Sequence, residues 1–113
     1  MECIGALYSG FQIADTQVVG SKTLGENMAD FGGVKIAHAA MLSWQESTLG
    51  SATSEADERL FFTSFAQLWC EKGRKLSLQS RVARDVHSPG PFRSSTLLTL
   101  YVHAPGPFRS SIP

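Results

Sequence analysis

The stretch TLGENMADFGG, residues 23–33, places two carboxylates four residues apart and ends in two consecutive glycines. Thr23 and Glu26 have the spacing of a capping box, in which each side chain accepts a hydrogen bond from the other residue's backbone N–H. A helix is therefore predicted from Thr23 to about residue 47, with Glu26 and Asp30 on one face. The glycines either break this helix or let another backbone pack closely against it, since each costs about 1 kcal/mol relative to alanine.

The neighbouring segments also favour helices. Residues 1–22 are interpreted as irregular, with a short helix near Ile4–Tyr8. Ser54 is placed as a second N-cap, and acidic residues suit the first turn of a helix predicted from Glu55 to about Lys72. This helix has a wide aromatic face that we interpret as core, formed by Phe61, Phe62, Phe65 and Trp69.

The end of the sequence contains a repeat. VHSPGPFRSS at 86–95 recurs as VHAPGPFRSS at 102–111, with nine of ten residues identical at a spacing of 16. Proline and glycine at this density predict extended, surface-running chain and argue against helix.

Composition narrows the function classes. A chain of 113 residues with 42% apolar residues is one small globular domain or a piece of a larger one. No apolar run approaches the length of a membrane span, and the N-terminal residues do not have the pattern of an export signal, so neither is expected. Basic residues are concentrated after residue 71, without interleaved aromatics, so no nucleic-acid partner is expected. Cys3 and Cys70 fit one disulfide, two free thiols or two separate partners, and no Cys/His cluster indicates a zinc finger.

Three stretches together resemble one family. TLGENMADFGGVKIAH, ADERLFFTSFAQLWC and DVHSPGPFR are similar, in this order, to the C-terminal end of the neprilysin/endothelin-converting-enzyme family of zinc metallopeptidases, and CIGALYSGFQ resembles the segment before them. The similarity covers roughly residues 3–95. It implies a mainly α fold: the helical C-terminal part of a neprilysin-like catalytic domain (1–95), followed by an irregular Pro/Gly-rich tail (96–113) that repeats 86–95.

The resemblance also implies roles for four residues. Glu26 is expected to be the third zinc ligand beside two histidines of an HExxH helix, and Asp30 to orient one of those histidines. Without the resemblance, Glu26 is only the far half of a capping box and Asp30 a solvated helix residue. His87 is expected to hydrogen-bond the tetrahedral transition state. Arg93 is expected to anchor a substrate carbonyl or carboxylate, a two-pronged role that suits a planar guanidinium.

In the complete enzyme the resemblance implies hydrolysis of peptide substrates on the N-terminal side of hydrophobic residues, by water that Zn²⁺ activates. The 113-residue sequence contains no HExxH, so the isolated chain is expected to bind zinc weakly and to lack peptidase activity. Family members are membrane-anchored or secreted, which leaves the compartment open. The family also pairs cysteines like these two with partners outside this stretch.

The alternative is a non-catalytic remnant or a peptide- or protein-binding module. In that hypothesis the two PGPF segments dock in an aromatic-lined groove as extended proline-rich ligands. The second copy, with His103 and Arg109, lacks the upstream context of the first copy and is given no catalytic role.

Overall fold

The computed structural model of the chain describes residues 2–13 and 15–102. The fold is mainly α, as predicted. Within these residues, five helices and one two-stranded antiparallel hairpin follow one another as α1 (Glu2–Ser9), β1 (Gln12–Ile13), β2 (Thr16–Gln17), α2 (Leu24–Leu49), α3 (Glu55–Leu68), α4 (Lys75–Arg84) and α5 (Gly90–Val102). The short helix near the N-terminus is confirmed as α1, whereas the hairpin and α4 were not anticipated.

Helix α2 runs for 26 residues without a break at Gly32 and Gly33. The predicted capping box at its start is wrong: Thr23 makes no side-chain cap hydrogen bond. Its backbone is not extended, and its hydroxyl oxygen instead accepts a hydrogen bond from Nδ2 of the buried Asn27 at 2.9 Å. Glu26 is consequently free to point away from the backbone, and its carboxylate lies beside His87.

Helix α3 begins as the sequence predicts. The Ser54 hydroxyl accepts from the backbone N–H of Asp57, and the Asp57 carboxylate accepts from the backbone N–H of Ser54, which completes a capping box. The hydrogen bonds from Ser54 hold the pKa of Asp57 below its ordinary value. The helix ends at Leu68, a turn earlier than Lys72.

The first Pro-Gly-Pro segment was predicted to be extended, and this is wrong. Gly90 opens α5, and Pro91 lies in its first turn. A proline there costs little, because the first N–H groups of a helix have no carbonyl partner and the ring presets the helical φ. Phe92 is half-buried and stacks on Phe11 with ring centroids 4.5 Å apart, so this segment is part of the packed structure.

In the part of the chain that the structure describes, two apolar clusters hold the helices together. Tyr8, Val18 and Val82 join α1, the segment after the hairpin, and α4. Val34, Phe62 and Leu97 join α2, α3 and α5, with α5 packed against both of the other helices. Phe62 is buried and Phe61, Phe65 and Trp69 are partly buried, so the aromatic residues of α3 do supply core.

A polar contact fastens the α3–α4 connection to the start of α5. The Glu71 carboxylate accepts from Arg81 Nη1 at 2.6 Å and from the backbone N–H of Gly90 at 3.1 Å. The bond from Arg81, assisted by that of Gly90, holds the pKa of Glu71 below its ordinary value.

Three other expectations from the sequence concern the cysteines, the second copy of the repeat and a membrane-spanning helix. Cys3 and Cys70 are both free and exposed. The second repeat copy, with His103 and Arg109, falls outside the described residues apart from Val102. Among the described residues, no helix has the length and apolarity that a membrane crossing needs.

Candidate functional site

The four residues singled out in the sequence meet at the junction of α2 and α5. Glu26 and Asp30 occupy the first two turns of α2, one turn apart on one face. His87 lies in the connection between α4 and α5, and Arg93 lies in the first turn of α5. The structure pairs Glu26 with His87 and Asp30 with Arg93.

His87 sits between two carboxylates. Its Nε2 lies 3.3 Å from Glu26 Oε2, and its Nδ1 lies 2.7 Å from Asp85 Oδ1. Asp85 also accepts a hydrogen bond from the backbone N–H of His87. This backbone bond and the bond to the ring hold the pKa of Asp85 below its ordinary value. Each ring nitrogen of His87 therefore faces a carboxylate oxygen, which accepts a hydrogen bond when the carboxylate is ionised.

Asp30 and Arg93 form a buried, two-pronged ion pair. Arg93 Nη2 donates to Asp30 Oδ1 at 2.6 Å, and Nε donates to Oδ2 at 2.5 Å. The Arg93 side chain is 9% exposed and that of Asp30 is 11% exposed. The Trp69 ring covers the guanidinium, with its centroid 3.8 Å from Cζ. Arg93 is therefore fixed in orientation by a carboxylate at its edge and an indole on its face.

A cavity of about 380 Å³ opens beside these groups and is lined by Trp69, His87, Ser88 and Arg93, among others. The Ser88 hydroxyl is buried and has no hydrogen-bond partner among the described residues. Nearby, Tyr8 is fully buried, and burial raises its pKa to about 12, so the phenol stays protonated at neutral pH. The cavity thus combines an apolar indole wall with several hydrogen-bonding groups, as small-molecule and peptide sites do.

The described residues do not form a complete metal site. They contain no group of three or more His, Cys, Asp or Glu side chains arranged to hold a metal ion. The Glu26 side chain is 42% exposed, and its carboxylate can serve as one ligand. A catalytic zinc needs three protein ligands and an open position, so this part of the chain can contribute to such a site but does not build one.

Two residues with a place in this geometry were missed in the sequence. Trp69 was assigned to the core with no chemistry, because it continues the apolar face of α3. Asp85 has no role in the sequence-based site, although an acidic residue two positions before a histidine can orient the imidazole through a local turn.

Comparisons with known proteins identify the family of the chain. A family profile described as Peptidase family M13 matches residues 1–105. The chain belongs to peptidase family M13. Human "Endothelin-converting enzyme-like 1" is 41% identical over 97 residues, and "Endothelin-converting enzyme homolog" of Locusta migratoria is 34% identical over 96 residues. Human "Endothelin-converting enzyme 1" is 37% identical over 100 residues.

The match covers a small share of each M13 relative. In all three comparisons 81% of this chain is aligned, but the chain spans only 12–13% of the length of these relatives. No solved structure gave a significant match. Membership of the M13 metallopeptidases is therefore shown through a short part of the relatives' length.

Proposed function

We propose that this chain supplies one wall of the active site of a zinc metalloendopeptidase. Glu26 contributes one ligand to the zinc of the complete enzyme. His87 and Arg93 bind the substrate, and Asp30 holds Arg93 in place. The observation that carries the proposal is the convergence of two distant segments: Asp30 and Arg93, separated by 63 residues, are joined by two hydrogen bonds beside the Glu26–His87 contact.

His87 has the geometry of a donor to an oxyanion. Asp85 holds its Nδ1, which leaves Nε2 directed toward Glu26 and the open side of the junction. A protonated Nε2 placed there can stabilise the negative charge that develops on a peptide carbonyl oxygen during hydrolysis. Asp85 acts through His87 and is a positioning residue.

Arg93 is suited to hold a carbonyl or carboxylate of the peptide. Asp30 occupies Nε and Nη2, so Nη1 is left to face a ligand in the cavity beside Trp69. Because each carboxylate oxygen has two acceptor positions, Asp30 can still accept a hydrogen bond from a histidine supplied by another part of the enzyme.

The isolated chain is expected to be inactive, because the described residues supply one zinc ligand of the three that are needed. Zinc-dependent hydrolysis by the purified 113-residue chain, surviving a control for contaminating proteases, would overturn this expectation. In the alternative, the PGPF segments are proline-rich ligands. Three residues of the first copy, Gly90, Pro91 and Phe92, lie within α5, and no observation on the described residues favours that hypothesis.

The roles are tested in a chimera in which this chain replaces the matched region of human endothelin-converting enzyme 1. Glu26→Gln is expected to abolish stoichiometric zinc, while Glu46→Gln, an exposed glutamate of the same helix, leaves it unchanged. His87→Gln is expected to lower kcat by about 10²–10³ with little change in KM, as for other oxyanion donors. A Glu26→Gln chimera that retained both zinc and activity would refute the assignment.

A further inference from the structure

A row of three aromatic rings connects α1 to the residue that precedes Arg93. Tyr8 lies in the last turn of α1 and is fully buried. Its ring makes an edge contact with the ring of Phe11, with centroids 5.9 Å apart, and Phe11 stacks on Phe92 at 4.5 Å. Because Phe92 is the neighbour of Arg93 in the first turn of α5, the row ends beside the guanidinium-bearing residue.

The hydroxyl end of Tyr8 reaches the same helix one turn later. Burial raises the pKa of Tyr8 to about 12, while the Thr96 hydroxyl, a hydrogen-bond donor close to the phenol, lowers it. The charges of Asp30 and Arg93 also act on the pKa of Tyr8, in opposite directions, so the phenol lies close to the ion pair. Thr96 follows Arg93 by three residues, on the same side of α5. Tyr8 is thus linked to α5 on both sides of Arg93, through Phe92 and at Thr96.

Apolar packing does not explain the hydroxyl groups of Tyr8 and Thr96. Thr96 is 3% exposed, and neither oxygen makes a hydrogen bond of ordinary geometry within the described residues. A phenylalanine and a valine would fill the same space without burying a hydroxyl. Since an unpaired buried hydroxyl destabilises a fold, two such groups at one junction indicate a hydrogen bond between them, either direct or through one internal water.

We propose that Tyr8 is a positioning residue for Arg93. Its hydroxyl and that of Thr96 form one hydrogen-bonded unit, which sets the position of α5 relative to α1. Arg93, one turn before Thr96 on the same face, is thereby placed for its two-pronged contact with Asp30. The two bonds of that contact, at 2.5 and 2.6 Å, tolerate only a small displacement, because hydrogen bonds weaken steeply when the donor is misaligned.

The consequence for catalysis rests on the proposed role of Arg93 in binding the peptide. Because Tyr8 is fully buried within this chain, it acts only through the guanidinium. Losing its hydroxyl should therefore weaken substrate binding and leave the chemical step nearly unchanged. A merely structural role would lower Tm without separating KM from kcat in this way.

The first test is made in the chimera with human endothelin-converting enzyme 1. Tyr8→Phe keeps the ring, removes only the hydroxyl and is expected to raise KM about three- to tenfold, with kcat within about twofold. Thr96→Val should do the same, whereas Thr96→Ser, which keeps a hydroxyl, should leave KM near that of the unchanged chimera. Thr99→Val is the matched control, because Thr99 lies on the same helix but is exposed.

A second background separates positioning from a general loss of structure. Arg93→Lys keeps the charge beside Asp30 but removes the planar fork, and it is expected to raise KM by itself. In this background Tyr8→Phe should change KM by less than about twofold, since no fork remains to be oriented. An equal increase in KM in both backgrounds would overturn the proposal, as would a Tyr8→Phe variant whose only change is a lower Tm.

A measurement on the 113-residue chain needs neither zinc nor substrate. Trp44→Phe leaves Trp69 as the only tryptophan of the sequence. The Trp69 ring centroid lies 3.8 Å from Cζ of Arg93, so the emission of Trp69 depends on where the guanidinium lies. Tyr8→Phe is expected to shift this emission, and Thr99→Val is not.

The two readouts distinguish a failure of the positioning role from a failure of the proposed function. Unchanged Trp69 emission in Tyr8→Phe would overturn the positioning role. If the emission shifts but Arg93→Lys leaves KM unchanged, the proposed substrate role of Arg93 fails while the positioning role stands.

Discussion

Removing one partner of the Asp30–Arg93 pair should destabilise the chain far more than removing both. Asp30→Leu leaves a buried guanidinium unpaired, and Arg93→Met leaves a buried carboxylate unpaired. Both side chains are about one-tenth exposed, at 11% and 9%, so water compensates the remaining charge poorly. Breaking a buried pair in this way costs about 3–5 kcal/mol.

The double variant replaces the pair with two apolar side chains. Since the desolvation cost of both charges disappears, its free energy of unfolding is expected to lie much closer to that of the original chain than the sum of the single losses. Because each single loss is about 3–5 kcal/mol and the double loss is expected to be smaller than either, the interaction energy of the cycle is expected to exceed about 3 kcal/mol. Trp69, whose ring centroid lies 3.8 Å from Cζ of Arg93, provides a local fluorescence signal.

The assay is urea unfolding of the 113-residue chain, followed by far-ultraviolet circular dichroism and tryptophan fluorescence. A domain of this size is typically stable by about 5–15 kcal/mol, so either single variant removes a large part of the total. Losses that add within about 0.5 kcal/mol would refute the argument, because independent sites behave in that way.

Three further predictions concern stability in the same assay. Glu71→Gln should lower stability by roughly 1 kcal/mol at neutral pH, a value discounted for partial exposure. Because folding lowers the pKa of Glu71, its contribution to stability is present above the ordinary carboxyl pKa and disappears as pH falls through the lower folded-state pKa. If the original chain and Glu71→Gln still differed by the same free energy of unfolding at about pH 2, this argument would be contradicted. Ser54→Ala should lower the free energy of unfolding by about 1 kcal/mol, and Ser54→Thr should lower it much less. Equal losses would show that the capping hydrogen bond does not stabilise α3. Gly32→Ala and Gly33→Ala should each stabilise the isolated chain by up to about 1 kcal/mol, and a loss at either would show a contact that the open space does not predict.

Local chemistry was predictable from the sequence only where tertiary contacts did not compete. Ser54 caps α3 as expected, and together with Asp57 it completes a capping box on an exposed turn. The similar pattern at Thr23 does not, because the buried Asn27 engages its hydroxyl and Glu26 points to His87. Both segments have the spacing of a capping box, but it forms only on the exposed turn, where no buried side chain competes for the hydroxyl.

The proline-rich segment shows a second limit. The proline and glycine density around Pro91 argues against a helix, yet in the first turn of α5 this proline removes no hydrogen bond that a helix would make. A proline is tolerated in the first turn of a helix but disrupts the helix interior, so its effect depends on the residue at which the helix begins. Here Gly90 begins α5 only once the connection after α4 has ended, and α4 itself was not anticipated.

The resemblance to a known family predicts which residues form the candidate site, but it does not predict which of them contact each other. Nothing local in the sequence links Asp30 to Arg93 across 63 residues, or places Trp69 over the guanidinium. Asp85 did have a local signal, since it lies two residues before His87. The residue types were readable, but the contacts between them required the packing of α5 against α2.

The contacts that orient His87 and Arg93 differ in how much chain must be ordered before they form. Asp85 reaches His87 across two residues, so this contact closes a very short loop and needs little beyond the end of α4. Asp30 reaches Arg93 only when a 63-residue loop has closed, which carries a larger entropic cost and makes it a late event in folding. During folding, the imidazole should therefore acquire its orientation before the guanidinium does. Conditions that loosen α5 from α2 should release Arg93 while His87 keeps its bond to Asp85.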